Sequence, residues 1–177
     1  MRKLLHSAVL ISHPKGDILW DSGIGAEYQT QMSVLNFWEK QLFSIENVKP
    51  AYQQLKASSY SFNKLMAIIP SHMHWDHVSG LEDFVGTPVW LQKRSYDEAL
   101  QGKVPGFIQS QYDSPQINWH FIELDAQPYL GFKKSLDIYG DGSAVLVDLN
   151  GHSDGHLGLV ITLSNGERYF FIGDTTW

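Results

Sequence analysis

Ser71-His72-Met73-His74-Trp75-Asp76-His77 places four side chains able to bind a metal within six residues. His72 and His74 are two positions apart, so on an extended segment they project to the same side. Asp76 and His77 are adjacent and leave the backbone in different directions as the chain turns. The preceding run, Leu65-Met66-Ala67-Ile68-Ile69, has strand composition, and Pro70 ends it before the ligands begin. Imidazoles presented from the loop after a buried strand can converge on one cation from one side and leave the other side open. An open coordination position separates a catalytic zinc-type site from a structural one. A surface loop merely rich in histidine would have no need of this spacing after an apolar strand.

Two further segments have the same character. Gly151-His152-Ser153-Asp154-Gly155-His156 lies between two strand-like runs, and Gly173-Asp174 follows another. Three separate strands are therefore expected to end in His or Asp, and loops held by a sheet are where chemistry is usually carried. Asp21, in Asp21-Ser22-Gly23, stands at the mouth of an earlier strand. Its simplest role is to accept backbone N–H groups in its own turn. A supporting carboxylate behind a metal ligand is compatible with that.

The elements that must position these groups read as follows. Ala8–Ile11 and Ile18–Trp20 form strands joined by a turn at Pro14-Lys15-Gly16-Asp17. Met32, Leu35, Trp38, Leu42 and Phe43 recur at helical spacing, which predicts a helix over 28–43 packed on the core or acting as a lid. Pro50 opens a short helix over 51–55. A helical turn is expected at 80–84, a strand at 88–91, a helix at 92–100, and an irregular loop at 102–114 serving as a substrate rim. The last third reads as strands at 119–124, 136–139, 144–149, 157–163 and 168–172, the final two forming a hairpin.

Composition sets the bounds. The chain has 177 residues, 43% hydrophobic and 18% charged, which predicts one globular domain over 1–177. A formal net charge of -6 with no basic cluster argues against nucleic acid. No cysteine is present, which excludes disulfides, thiolate ligands and a cysteine nucleophile. No apolar run reaches membrane-spanning length. His6 and Ser7 interrupt the leucines of the opening segment, and His13-Pro14-Lys15-Gly16 stands where a signal-peptide cleavage site would be, so the start reads as the first strand of a cytoplasmic protein.

In their order, His72-Met73-His74-Trp75-Asp76-His77, Gly151-His152-Ser153-Asp154-Gly155-His156 and Gly173-Asp174 resemble the motifs of the metallo-β-lactamase superfamily, and Asp21-Ser22-Gly23 is similar to its early Asp-Ser/Thr-Gly turn. The resemblance implies an α/β (α+β) chain folded as an αβ/βα sandwich. It implies that His72, His74 and His152 bind a first metal, that Asp76 and His77 bind a second, and that Asp174 bridges both. His156 matches a position that supports the site from behind, or is a histidine hydrogen-bonded within its own loop. The remaining histidines, His6, His13 and His120, match no ligand position and are expected to face solvent.

The implied cofactor is Zn²⁺, two per complete site, with Mn²⁺ or Fe²⁺ also suited to imidazole and carboxylate ligands. A metal-bound hydroxide would then open an ester, lactone or related carbonyl substrate, with Asp76 orienting it. A ligand set without cysteine is similar to the lactonase and glyoxalase II branches. His-Met-His-Trp-Asp-His and the Gly140-Asp141-Gly142 turn resemble N-acyl homoserine lactonases. Those enzymes often carry Tyr three residues after the bridging Asp, where this chain has Trp177. Thioester hydrolysis of the glyoxalase II type is the alternative, and an iron persulfide dioxygenase a more distant one. Family members continue well beyond the bridging Asp and supply a last His, so much of the second half of the sandwich is expected to be missing. The chain would then be a fragment, or a metal-binding subunit inert until a partner completes it. Exposed sheet edges would in that case favour self-association.

Overall fold

The computed structural model describes residues 6–41 and 45–175. β1 (Val9–Ile11) pairs antiparallel with β2 (Asp17–Trp20), and β2 continues in parallel to β3 (Leu65–Ile69), β4 (Pro88–Leu91) and β5 (Asn118–Phe121). Their order in the first sheet is β1-β2-β3-β4-β5. β6 (Ser135–Asp137), β7 (Ala144–Asp148), β8 (Leu157–Thr162) and β9 (Arg168–Phe171) form a second, wholly antiparallel sheet in that order. Between β2 and β3 lie α1 (Tyr28–Gln31), α2 (Phe37–Lys40) and α3 (Ala51–Ala57). α4 (Trp75–Val78) follows β3, and α5 (Lys93–Gln101) follows β4.

Side-chain alternation explains the layering. Ile18 and Trp20 of β2, with Ala67 and Ile69 of β3, face Leu146, Leu157 and Leu159 of the second sheet. Leu19 and Ile68 point the other way, into a second cluster with Val78, Leu81, Phe84 and Ala99. Strands covered on both faces need near-continuous apolar sequence, which is why β3 reads Leu-Met-Ala-Ile-Ile without a polar break. A register shift beside Asp17 and Ile18 inverts the alternation at one point, so Leu65 packs with the helices although Ala67 packs between the sheets. The resulting order is helices, sheet, sheet. Among the described residues no α-helix follows β6, and Tyr169 and Phe170 of β9 are exposed.

Most elements form where the pattern places them, with two corrections. The helix expected over 28–43 is broken, and Leu42 and Phe43 lie outside the described residues. After α1 the chain tightens into a 3-10 turn at Met32–Val34, and Leu35 leaves it extended. Asn36 then starts a new helix through a capping box: its side chain accepts from the N–H groups of Trp38 and Glu39, and Glu39 accepts from Asn36 N–H. A strong local start signal overrides the periodicity. Met32 and Leu35 pack with Ile24, Trp75 and Ile108, while the Trp38 side chain is 77% exposed. The strand expected to run to 124 ends at Phe121. Among the described residues no helix is long and apolar enough to cross a membrane.

Two loops meet backbone to backbone beneath the site. Ser22 N–H donates to the His77 carbonyl, and Gly80 N–H donates to the Gly23 carbonyl. A Cβ on Gly25 would lie 2.4 Å from the Ser79 carbonyl oxygen, and one on Gly80 would lie 2.7 Å from that of Ser22. Only glycine permits this approach, which seats the turn after β2 against the loop after β3.

Candidate metal centre

β3, β7 and β9 end at the same edge of the molecule, and their C-terminal loops bring His72, His74, His152 and Asp174 together. His74 Nδ1 lies 2.9 Å from His72 Nε2 and 3.0 Å from His152 Nε2. A neutral imidazole carries one N–H, so three ring nitrogens converging in this way cannot all be satisfied by one another. A single cation at their centre takes all three lone pairs. Bonds of about 2.0–2.1 Å to a tetrahedral ion set ligand atoms about 3.3 Å apart, so a small outward shift of the rings accommodates it. These three histidines fit a metal.

His77 forms a second focus. Its Nδ1 is 3.0 Å from Asp21 Oδ2, while its Nε2 is 3.2 Å from Asp174 Oδ1 and 3.6 Å from Asp76 Oδ2. With Nδ1–H donating to Asp21, Nε2 directs a lone pair at two carboxylates. Only a proton or a cation between them makes that arrangement favourable. The other oxygen of Asp174, Oδ2, is 4.0 Å from His152 Nε2, so this carboxylate lies between the two foci. His72, His77 and Asp174 each offer a ligand atom within 4.8 Å of the others. This donor set also fits a divalent ion. Asp76 stands in the first turn of α4 and reaches the second focus only.

Asp21 corrects the simpler reading of its role. Its Oδ1 accepts the Ser71 backbone N–H at 2.6 Å, from the loop after β3 and not from its own turn. Its Oδ2 meets Ser71 Oγ at 3.2 Å as well as His77. Ser71 Oγ is in turn 3.0 Å from His72 Nδ1. The chain His72–Ser71–Asp21–His77 thus sets the tautomers of two candidate ligands from behind, as outer partners of metal ligands do. Ser71 carried no assigned role in the sequence, although it directly precedes the first histidine.

Two of the remaining histidines make contacts that the sequence did not suggest, and the structure decides between the two roles open to His156. His6 does not simply face solvent: its Nδ1 is 2.9 Å from Asp76 Oδ2 and its ring leans on Trp75. His13 stacks on Tyr139 at 3.7 Å and pairs with Asp141. His120 is exposed as expected. His156 is fully buried 4.8 Å from the His72 ring, and neither of its ring nitrogens has a hydrogen-bond partner among the described residues. A bond within its own loop is therefore excluded. The 102–114 loop also reaches the site, with Gly106 accepting from Trp75 N–H and Phe107 packing edge-on against His74.

Burial holds His74 and His156 neutral, lowering each from 6.5 to about 4, with neighbouring His152 adding to the effect. Burial, with neighbouring His77 adding to it, pushes His72 down further. Burial also opposes protonation of His77, but Asp21, Asp174 and Asp76 outweigh it and raise this ring to about 11. Burial disfavours the Asp76 anion, yet the His6 and His77 contacts prevail and keep it below the usual carboxylate range. The His77 contact lowers Asp174 against a smaller burial effect.

These shifts predict the acid response of the metal-free chain. Unfolded imidazoles take up protons as pH falls below about 6.5, whereas folded His74 and His156 resist until about 4. The unfolded state binds more protons in that window, so stability is lost as pH drops across it. His77 acts in the opposite sense: its contribution is complete below about 6.5 and is lost as pH rises through about 11. Melting temperature against pH should therefore peak near neutrality, and a flat profile from pH 4 to 7 would contradict the buried-histidine account.

The sequence model of the metallo-beta-lactamase superfamily matches residues 1–177. The chain belongs to that superfamily. It is 28% identical over 162 residues to the N-acyl homoserine lactonase AttM of Azorhizobium caulinodans, covering 87% of this chain and 58% of that protein. It is 28% identical to the N-acyl homoserine lactonase AiiA of Bacillus thuringiensis over 165 residues, 90% of this chain and 60% of AiiA. The fold matches a B. thuringiensis AiiA mutant with N-decanoyl-L-homoserine bound at its active site, with a TM-score of 0.69 and 26% identity over 91% of this chain and 60% of the other. A probable metal-dependent hydrolase from Staphylococcus aureus shares the fold at a TM-score of 0.65 and 19% identity, covering 94% of this chain and 57% of the other. The chain thus spans about 60% of the length of the curated relatives it matches.

Proposed function

We propose that this superfamily member is a two-metal hydrolase that opens N-acyl homoserine lactones or closely related esters. The observation that carries the reading is the convergence of His72 Nε2, His74 Nδ1 and His152 Nε2 beside a second focus of His77, Asp76 and Asp174. Relatives with N-acyl homoserine lactonase activity in their names support the substrate class. When bound, Zn²⁺ or a similar ion lowers the pKa of a water molecule to about 7 and polarises a carbonyl oxygen.

The chain's own residues supply the rest. His72, His74 and His152 hold one ion, and His77 and Asp76 hold the other, with Asp174 between them. Asp76, kept ionised by its His6 and His77 contacts, orients the attacking water. Phe107, packed edge-on against His74, borders the site with apolar surface suited to an acyl chain. Ser71 and Asp21 keep the imidazole lone pairs aimed inward through the catalytic cycle.

Metal analysis of the full chain together with lactone turnover tests this. About two equivalents of metal and hydrolysis of an N-acyl homoserine lactone, abolished by a chelator and restored by Zn²⁺, are expected. Faster cleavage of a glyoxalase II-type thioester would move the substrate class. One equivalent or none, with no turnover of either substrate, would mean that the chain is a metal-binding unit needing completion by another polypeptide.

A further inference from the structure

We infer that His6 is a positioning residue for Asp76, donating from Nδ1 to fix the carboxylate in the orientation that serves the second metal position. This rests on the two-metal reading above.

Two imidazoles lie beside Asp76, and His6 is the nearer: its Nδ1 is 2.9 Å from Asp76 Oδ2, against 3.6 Å for His77 Nε2. A carboxylate turns about its Cβ–Cγ bond, so a cation alone leaves its plane free to swing between one-oxygen and two-oxygen coordination. A donor on one oxygen fixes that plane, and a carboxylate has acceptor sites enough to keep binding a cation as well. Metal-ligating carboxylates are commonly held in this way by an outer partner. His72 has such a partner in Ser71, and His77 has one in Asp21. His6 gives Asp76 the equivalent support from a part of the chain seventy residues away.

His6 is itself held in place. Its ring is tilted against Trp75, with centroids 5.6 Å apart, and its side chain is only 25% exposed. Its backbone passes over Gly23, where an added Cβ would touch the His6 carbonyl at 3.8 Å. The Asp21-Ser22-Gly23 turn thus supplies one outer partner of the second focus, Asp21, and runs beside the segment that carries the other, His6. His6 also lines a cleft of about 170 Å³ together with Ser22, Ile24, Lys49 and Gln54.

The test is a Co²⁺ titration of the metal-free full chain, read by the ion's visible absorption and by competition with a chromophoric chelator. His6→Ala should weaken the second equivalent about 10–100-fold, leave the first unchanged, and alter the absorption band of the second step. His6→Asn places an amide N–H where Nδ1 stands and should recover most of the affinity. Equal weakening of both equivalents, no change in either, or an asparagine variant no better than alanine would overturn the role, and circular dichroism of both variants identifies a loss of fold. A wild-type chain that binds two ions yet cleaves no lactone, ester or thioester sinks the hydrolase reading and still decides His6 by the affinity ratio. A wild-type chain that binds no second ion overturns the positioning role itself.

Discussion

His152→Ala is expected to remove tight metal binding at the first position while leaving the fold intact. His152 sits on the loop after β7 with 15% of its side chain exposed, so its loss opens no large cavity in the core. It supplies one of the two nitrogens gathered around His74 Nδ1. Losing a direct ligand should cost more than the roughly 10–100-fold in affinity that outer partners are worth. The difference is readable as stabilisation, because a ligand present at about 100 times its Kd adds about 2.7 kcal/mol. Wild-type protein should gain several degrees in melting temperature on addition of Zn²⁺, and the variant should gain distinctly less. Equal gains would remove His152 from the centre and the two-metal proposal with it.

Asp21 is expected to separate fold from chemistry through two substitutions. It is buried, adopts a left-handed φ of 55°, and serves Ser71 N–H, Ser71 Oγ and His77. Asp21→Ala leaves a buried N–H unpaired and places a Cβ-bearing residue with no local hydrogen-bonding group at positive φ. Together these should cost about 2–5 kcal/mol in urea unfolding of the metal-free chain. Asp21→Asn tolerates the backbone and keeps an oxygen for Ser71 N–H. Its amide donor, however, faces His77 Nδ1 and drives the ring proton to Nε2, turning the lone pair away from Asp76 and Asp174. Stability should then change little while the second metal weakens about 10–100-fold. Full metal affinity in the asparagine variant would show that the tautomer does not matter.

Local signals were enough to find the strands and the first six candidate ligands. The apolar run of β3 ending at Pro70, the His-x-His-x-Asp-His spacing and the glycine-flanked histidine are each readable within a few residues. Where the reading failed, two local rules competed or distance hid the partner. Helical spacing over 28–43 lost to the capping box at Asn36, because a start signal anchored by hydrogen bonds outweighs an apolar stripe with little core to cover. Ser71 was in view but silent, since its hydroxyl acquires meaning only when Asp21 arrives from β2.

Sequence alone therefore determined which side chains can bind a cation, the strands that end in them, and the membership of the family those motifs resemble. Ligand type and i, i+2 spacing are properties of a few consecutive residues and need no fold to be recognised. Only the tertiary structure decided which groups stand behind the ligands: Asp21 behind His77, Ser71 behind His72, and His6 behind Asp76. Those partners come mainly from the segments before β1 and after β2, which parallel pairing of β2 with β3 carries to the same edge. The Asp21–His77 and His6–Asp76 contacts span fifty or more residues and depend on sheet register and on glycine-permitted backbone approach, and neither leaves a local trace in the chain.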